Sequence, residues 1–417
     1  MIGGQTLGTG GIVVVSGIAV LGASFLLAWG AETAEKDVPP AFAIAVLAVL
    51  AVAPEYAVDA LYAWTAGGQA GTPEGAEAAN LAVANMTGAN RILIGVGWSG
   101  IALFTLYRAL SRSDIAVESR PGFLADRVTL DREISLEVTL LFLATLWAFL
   151  IPLGGGIDAI DTLVLVGIYV AYILLVLRGD VDEHTDQVGV PRYLQSFPRP
   201  RRIVTVLALF GYSGTIIFTA VEPFAHGLEG IGEAAGVPSF FMIQWVAPLA
   251  SESPELIVVV YLVNKARSTA GFNALISSKL NQWTLLIGTL AVVYSLALGQ
   301  YGTLPFDAKQ AAEIWLTAAQ SYFALAILVN FTISGREALA LLGLFLPQVV
   351  LEFAVIRTPS IPIDSIELLY AFTVVYMLLG TVLLIRRRKS LAELLDRTRT
   401  TIRTAFAPRE GHVEGAD

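Results

Sequence analysis

The chain has no cysteine. That excludes a disulfide framework and a thiolate metal site. Histidine is almost as scarce: His184, His226 and His412 are scattered, and no His-Glu-x-x-His pair exists to hold a catalytic zinc. No set of nucleophile, base and metal emerges, so an enzyme is not expected, nor a bound cofactor. Positive charge is short as well. Asp and Glu number 35 against 26 Lys and Arg, for a formal charge of −9 and a pI near 5.0, which leaves no broad basic surface for nucleic acid. Charge of either sign is sparse, at 15% of 417 residues.

What fills the space is apolar. Hydrophobic residues make up 55% of the chain and mean hydropathy is +0.69, values that belong in lipid. Apolar runs of about twenty residues, each long enough to cross a hydrocarbon core, follow one another from Gly11 almost to Arg386. The short alternating segments of a membrane barrel are missing. The first run, Gly11 to Gly30, lacks the preceding positive charge of a signal peptide and reads as a spanning helix. Helices are predicted at residues 11–31, 40–65, 81–107, 134–152 and 157–177, then at 203–222, 240–264, 271–299, 312–333 and 336–356, with an eleventh at 365–385. Pro39-Pro40, the stretch Thr65 to Gly75, Pro152 to Gly156 and Pro191 to Pro200 separate them.

The expected fold is therefore an all-α polytopic membrane protein. Its plan is a first repeat over residues 1–178, a loop over 179–201, a second repeat over 202–357, an eleventh helix at 364–386 and a tail at 387–417. The tail, "RRRKSLAELLDRTRTTIRTAF", reads as a basic amphipathic helix lying on the cytoplasmic leaflet. Threaded through this plan, 22 Lys and Arg fall on one side, only Lys309 and Arg357 on the other, and Arg91 and Lys279 inside helices. So lopsided a split places the N-terminus outside and the C-terminus in the cytoplasm of a cell with an inner membrane. Five helices in the first half also force the second half to enter from the opposite side, so any repeat is inverted.

A repeat is visible. The second helix carries "AVAPEYAVDALYAW" and the seventh "LASESPELIVVVYLVN", with Glu55 and Glu255 lying 200 positions apart, each near mid-helix. Each is followed by a helix opening with small and polar residues, "NMTGANRILIGVG" from Asn85 and "LISSKLNQWTLLIG" from Leu275. A carboxylate at bilayer depth is costly unless protonated, paired or facing water, so two placed symmetrically point to function. Each follows a proline, which donates no N–H and frees the carbonyl four residues back, Leu50 or Ala250. Carboxylates beside free carbonyls suit a hard cation, Ca2+ or Na+. Asp59 lies one turn after Glu55, and Ser251 and Glu252 about one turn before Glu255. Asn85, Asn90, Ser277 and Ser278 offer neutral oxygens, and Arg91 and Lys279 place two fixed cations beside four acids. The bland alternative is that the prolines serve packing and the glutamates merely pair with those cations. Gln348 and Glu352, a turn apart, are read as an interhelical contact or a side path for protons.

These segments resemble the alpha-repeats of the sodium/calcium exchanger superfamily, the cation/calcium antiporters. That family's signature is Gly-Thr-Ser-x-Pro-Glu in helices two and seven, then Gly-Asn/Asp-x-x-Gly-Ser-Asn in helices three and eight. Pro54-Glu55 and Pro254-Glu255 match the glutamate pair, Asn85 and Gly88-Ala89-Asn90 the helix-three segment, and Ser277-Ser278-Lys279 the place of Gly-Ser-Asn in helix eight. The alpha-repeats then cover about 40–107 and 240–299. The resemblance implies that Glu55 and Glu255 ligate a transported ion, and that the protein exchanges calcium for sodium or protons by alternating access, helices one and six sliding past a rigid core. The departures are specific. Ala51 and Val52 replace the hydroxyls before the first glutamate, Glu252 replaces a serine, Ala274 stands where the family has an acid, and Lys279 replaces the last asparagine. Lys279 is thereby a candidate tethered substitute for one coupling cation. Two other functions stay open on the residues: a sodium/proton exchanger that does not carry calcium, and a non-transporting scaffold or sensor whose buried ion pairs are structural. The expected partners are the lipid bilayer and inorganic cations.

The charge split makes a direct prediction. A cysteine introduced at Arg120 in this cysteine-free chain should react with an impermeant maleimide only after cells are opened; labelling in intact cells would invert the topology.

Overall fold

The computed structural model describes residues 8–34, 36–37, 53–111, 114–178, 189–358 and 362–406. Among them, nine helices are long and apolar enough to cross a membrane, and a tenth is a bent pair. In chain order these and their partners are α1 (Thr9–Ala34), α2 (Ala53–Gly68), α3 (Pro73–Ala109), α4 (Arg132–Gly154), α5 (Ala159–Arg178), α6 (Arg199–Ala234), α7 (Ser239–Asn264), α8 (Ser268–Leu298), α9 (Ala308–Leu328), α10 (Gly335–Arg357) and α11 (Ser365–Arg386). A last helix, α12 (Arg388–Ala405), follows α11 directly. The expected start of the second helix, including Leu50, lies outside the described residues.

Several boundaries differ from the sequence expectation, each for a local reason. Helix α3 starts at Pro73 because Thr72 caps it, its hydroxyl accepting from Gly75 N–H, with proline at the first position. Helix α9 starts at Ala308 because Asp307 caps it through Gln310 N–H, and it ends before Phe331, whose φ is +56°. Helix α6 runs 36 residues, straight through Pro223, well past its expected end. Its extra length lies along antiparallel α1, where glycines let the backbones approach: Gly227 meets Val13, Gly17 meets Phe224 and Gly30 meets Phe210. Asp158, expected at a helix end, caps α5 through Ile160 N–H and Asp161 N–H.

Short strands tie the loops together on two faces. β1 (Val117–Glu118), β2 (Arg127–Thr129) and β5 (Thr332–Ser334) form one small antiparallel sheet, and β3 (Gly156–Ile157) pairs with β4 (Leu304–Pro305) in another. On the basic face, Arg202 makes a two-pronged pair with Asp37 at 2.5 Å per contact, and Gln195 donates to Glu32 O. Arg132 also pairs with Glu393 of α12 there. On the opposite face, Arg357 donates to Ala235 O and Gly236 O, and Asn80 to Asp307. Each of these contacts joins loops that the charge count had assigned to the same face. The Arg202 guanidinium holds the Asp37 carboxyl below the usual carboxylate range. A lowered acid contributes stability above its ordinary pKa of 3.8 and loses it as pH falls, so this tie holds at neutral pH and fails only in strong acid.

The centre of the molecule is where α3 and α8 cross α2 and α7. Helices α3 and α8 carry the repeated polar segments of the two halves, and each loosens into a π-helical turn, at Leu93–Trp98 and Gln282–Leu286. Each π turn begins three residues after the last position of the repeated segment, Asn90 or Lys279. Such turns are frequent at functional sites. Helix α7 bends by 51° between Ser239–Ser253 and Glu255–Asn264, as a proline at 254 dictates.

The α3–α7 crossing depends on one missing side chain. A Cβ on Gly88 would lie 1.8 Å from the Gln244 carbonyl oxygen, whereas Gly100 on the same helix faces open space. Gly88→Ala should therefore destabilise the protein by about 2–3 kcal/mol in a detergent unfolding assay, and Gly100→Ala should leave the melting temperature unchanged.

Candidate cation site

Glu55 and Asp59 lie one turn apart on α2, both buried. Asn85 of α3 orients Asp59, its amide donating to Oδ1 at 2.8 Å. From the other repeat, Ser251 and Glu252 of α7 are buried, and Ser251 comes within hydrogen-bond reach of Glu55. Glu252 and Glu255 lie within hydrogen-bond reach of each other, and both interact electrostatically with Glu55. Two carboxyl groups that close require a proton or a cation between them. Ser278 of α8 donates to Glu255 Oε2 at 2.9 Å, and Gln282 donates to Glu252 Oε1 at 2.5 Å.

Among the described residues no donor reaches four buried oxygens of this cluster: Glu55 Oε2, Asp59 Oδ2, Glu252 Oε2 and the Asn85 side-chain carbonyl. Orphaned acceptors of that kind suit a cation, since no N–H or O–H is aimed at them. Among the described residues no three His, Cys, Asp or Glu side chains converge as a ready metal cluster. An ion bound here therefore draws on neutral oxygens as well as carboxylates. Ala250 sits one turn before the bend in α7, where residue 254 offers no N–H to its carbonyl.

Three sequence readings change. Arg91 does not lie beside the four acids. One residue on from Asn90 it is turned about 100° around α3, and its guanidinium sits 2.7 Å from Glu313 of α9 and 4.6 Å over the Trp245 ring. Lys279 is fully buried in electrostatic range of Glu252, but its hydrogen-bond partner is Asn90, at 2.6 Å to Oδ1, with the Trp283 ring 4.2 Å away. The two terminal positions of the repeated segments thus hold each other across the pseudo-symmetry, and the Asn90 oxygen is taken by the ammonium. Ser277 faces away, within hydrogen-bond reach of Tyr172 on α5. Gln348 and Glu352 bond to each other within α10, and Glu352 also meets Lys309.

The sequence reading missed Gln282 and Glu313. Gln282 lies one turn after Ser278 on α8, and that shared helical phase was its signal. Glu313 begins a polar stripe with Thr317 and Gln320 at helical spacing, each buried.

Solved structures of similar architecture exist. The H+/Ca2+ exchanger CAX shares 44% identity over 96% of this chain and 93% of its own, with a TM-score of 0.84. The sodium-calcium exchanger NCX_Mj, soaked with 2.5 mM Na+ and 10 mM Sr2+, shares 15% identity over 82% of this chain and 98% of its own, at a TM-score of 0.51. Native YfkE shares 14% identity over 84% and 93%, at 0.57. The latter two share the fold alone. No curated protein matches the sequence. The sodium/calcium exchanger protein family matches residues 8–178 and 205–354, one stretch in each half, and with a 44% identical relative covering nearly its whole length the chain belongs to that family.

Proposed function

We propose that this protein is a calcium/proton antiporter whose transported ion binds between Glu55 and Glu255, aided by Asp59, Asn85, Ser251, Glu252 and Ser278. The observation that carries this reading is the Lys279–Asn90 contact of 2.6 Å. In the family's signature both positions are asparagines, whose neutral oxygens could accept a cation such as sodium. Here one of them is an ammonium and the other accepts that ammonium's hydrogen bond through its side-chain oxygen. A fixed positive charge already stands where a coupling sodium would need ligands. What is left is a cluster of four acids, two of them in hydrogen-bond reach of each other, which exchanges a divalent ion for protons. The 44% identity to a H+/Ca2+ exchanger supports the same coupling.

The cycle follows from charge balance. With calcium bound, Glu55 and Glu255 are both carboxylates and the ion's two charges cancel theirs. Once calcium leaves, burial of bare carboxylates is costly, and protons take its place before the site crosses back. Alternating access comes from α1 and α6 moving as a pair, since they pack along their length and are tied at the basic face through Asp37, Arg202 and Gln195. The basic face is cytoplasmic in this reading, the membrane is the inner membrane, and α12 lies on its cytoplasmic leaflet.

Reconstituted protein should take up 45Ca2+ in response to an imposed pH gradient and ignore a sodium gradient. Glu55→Gln and Glu255→Gln, which keep shape and remove charge, should each bring uptake to the background of empty liposomes while the melting temperature holds; full uptake in either places the ion elsewhere. Lys279→Asn should weaken the dependence on pH and introduce a response to sodium. A Lys279→Asn protein that melts lower but keeps its original ion dependence would show that the lysine only braces α8 against α3.

A further inference from the structure

A cavity of about 260 Å³ lies between α2, α3 and α6, at the end of the molecule away from the basic face. Helix α2 lines it with Tyr62 and Thr65, α3 with Leu81, and α6 with His226 and Glu229. Glu74 and Glu77 join Glu229 in the wall, and three carboxyl groups there suit an approach for cations.

The cavity stands one turn from the cation site on two helices. Tyr62 comes three residues after Asp59 on α2, and Leu81 four residues before Asn85 on α3, where Asn85 and Asp59 are joined at 2.8 Å. The lining stripe of α2 continues inward, since Val58 lies one turn before Tyr62 and is only 2% exposed. Tyr62, itself 3% exposed, is therefore the floor of the cavity, with Val58 and Asp59 buried behind it.

A hydrogen bond between helices holds that floor. The Tyr62 hydroxyl donates to Glu229 Oε1 at 2.6 Å, and His226 Nδ1 lies 3.1 Å from the other carboxyl oxygen. The bond crosses the boundary along which α1 and α6 would slide. On one side, α2 is fixed to the core: a Cβ on Gly67 would run into the Tyr294 carbonyl of α8, and Asn85 of α3 holds Asp59. On the other, α6 is fitted to α1 where Gly227 meets Val13. A buried phenol left without its acceptor is costly, so the contact favours the arrangement in which it is made. We propose that Glu229 is a positioning residue for exchange: by accepting from Tyr62 it clamps α6 onto α2 and keeps the cation site closed to the face opposite the basic one.

This inference rests on the reading that Glu55 and Glu255 hold the ion while α1 and α6 move past it, and a labelling test, which needs no transport, separates the two. In the cysteine-free chain, Val58→Cys would be reacted with a small impermeant thiosulfonate in intact cells and in inside-out vesicles, with Thr65→Cys in the cavity wall as the control. The preparation in which Thr65→Cys reacts shows which side the cavity faces, and rates are compared in that preparation. Tyr62→Phe keeps the ring and Glu229→Met removes the acceptor. Each should speed labelling of Val58→Cys about tenfold, and the two together no more than either alone. Glu229→Gln still accepts from the hydroxyl and should stay within about twofold of the parent, while Thr65→Cys reacts at one rate throughout. Unchanged rates at Val58→Cys overturn the proposal, as does a rise that Thr65→Cys shares equally, which would mean local loosening. Where Tyr62→Phe fails to fold, Glu229→Met and Glu229→Gln decide between themselves: a faster Met variant beside an unchanged Gln variant supports the clamp, and equal rates overturn it. Full 45Ca2+ uptake by Glu55→Gln would instead refute the location of the ion site, whatever the labelling shows.

Discussion

Everything near the middle of this protein answers to one constraint: carboxyl groups held in a membrane need positive charge or protons at all times. Glu55, Asp59, Glu252 and Glu255 are gathered from two inverted repeats, and among the described residues Asn85, Ser251, Ser278 and Gln282 reach them as neutral partners. Neutral hydrogen bonds reduce the cost of burial without cancelling charge. In the proposed cycle that deficit drives exchange, since a site that cannot stay empty must trade one cation for another. The architecture follows from that need. Inverted repeats bring two acids together from opposite directions, the proline at 254 offers no N–H to the Ala250 carbonyl, and π turns in α3 and α8 flank the repeated segments that face them.

The same constraint explains why two positively charged residues at this depth have such different surroundings. Lys279 sits within range of Glu252 and offers its protons to Asn90. Arg91 has its own buried acid, an aromatic lid and a backbone clamp. A flexible ammonium can belong to the exchange chemistry, whereas a permanently charged, forked guanidinium is useful only if fixed.

The helical plan was legible because each spanning run is long and apolar and because loop charge falls so heavily on one face. Glu55 and Glu255 stood out since an acid directly after proline in mid-run is hard to explain otherwise. Asn85 and Ser278 were found as polar residues in the segment that opens the helix following each acid. Arg91 was misplaced because adjacency in sequence to Asn90 is not adjacency in space: one residue turns a helix side chain onto a different neighbour. The partner of Lys279 was hidden for a related reason, as it depends on how far a four-carbon stem reaches across the contact between repeats. Ser277 shows the limit of reading polarity alone, its hydroxyl being drawn to Tyr172 on a helix whose position no local pattern reveals. Glu313 fell at the edge of an expected helix, where an acid reads as interfacial, and only the crossing of α9 over α3 buries it.

The central claim is that calcium and protons compete for one set of carboxyl oxygens. It is tested most directly by counting protons as calcium binds. Calorimetric titration of the detergent-purified protein with CaCl2, repeated in buffers of different ionisation enthalpy, gives that count without any transport. Release of about one or two protons per calcium bound, unchanged by added NaCl and abolished by Glu255→Gln, is the predicted result. Calcium binding that releases no protons, or that sodium displaces while pH does not, would contradict the account.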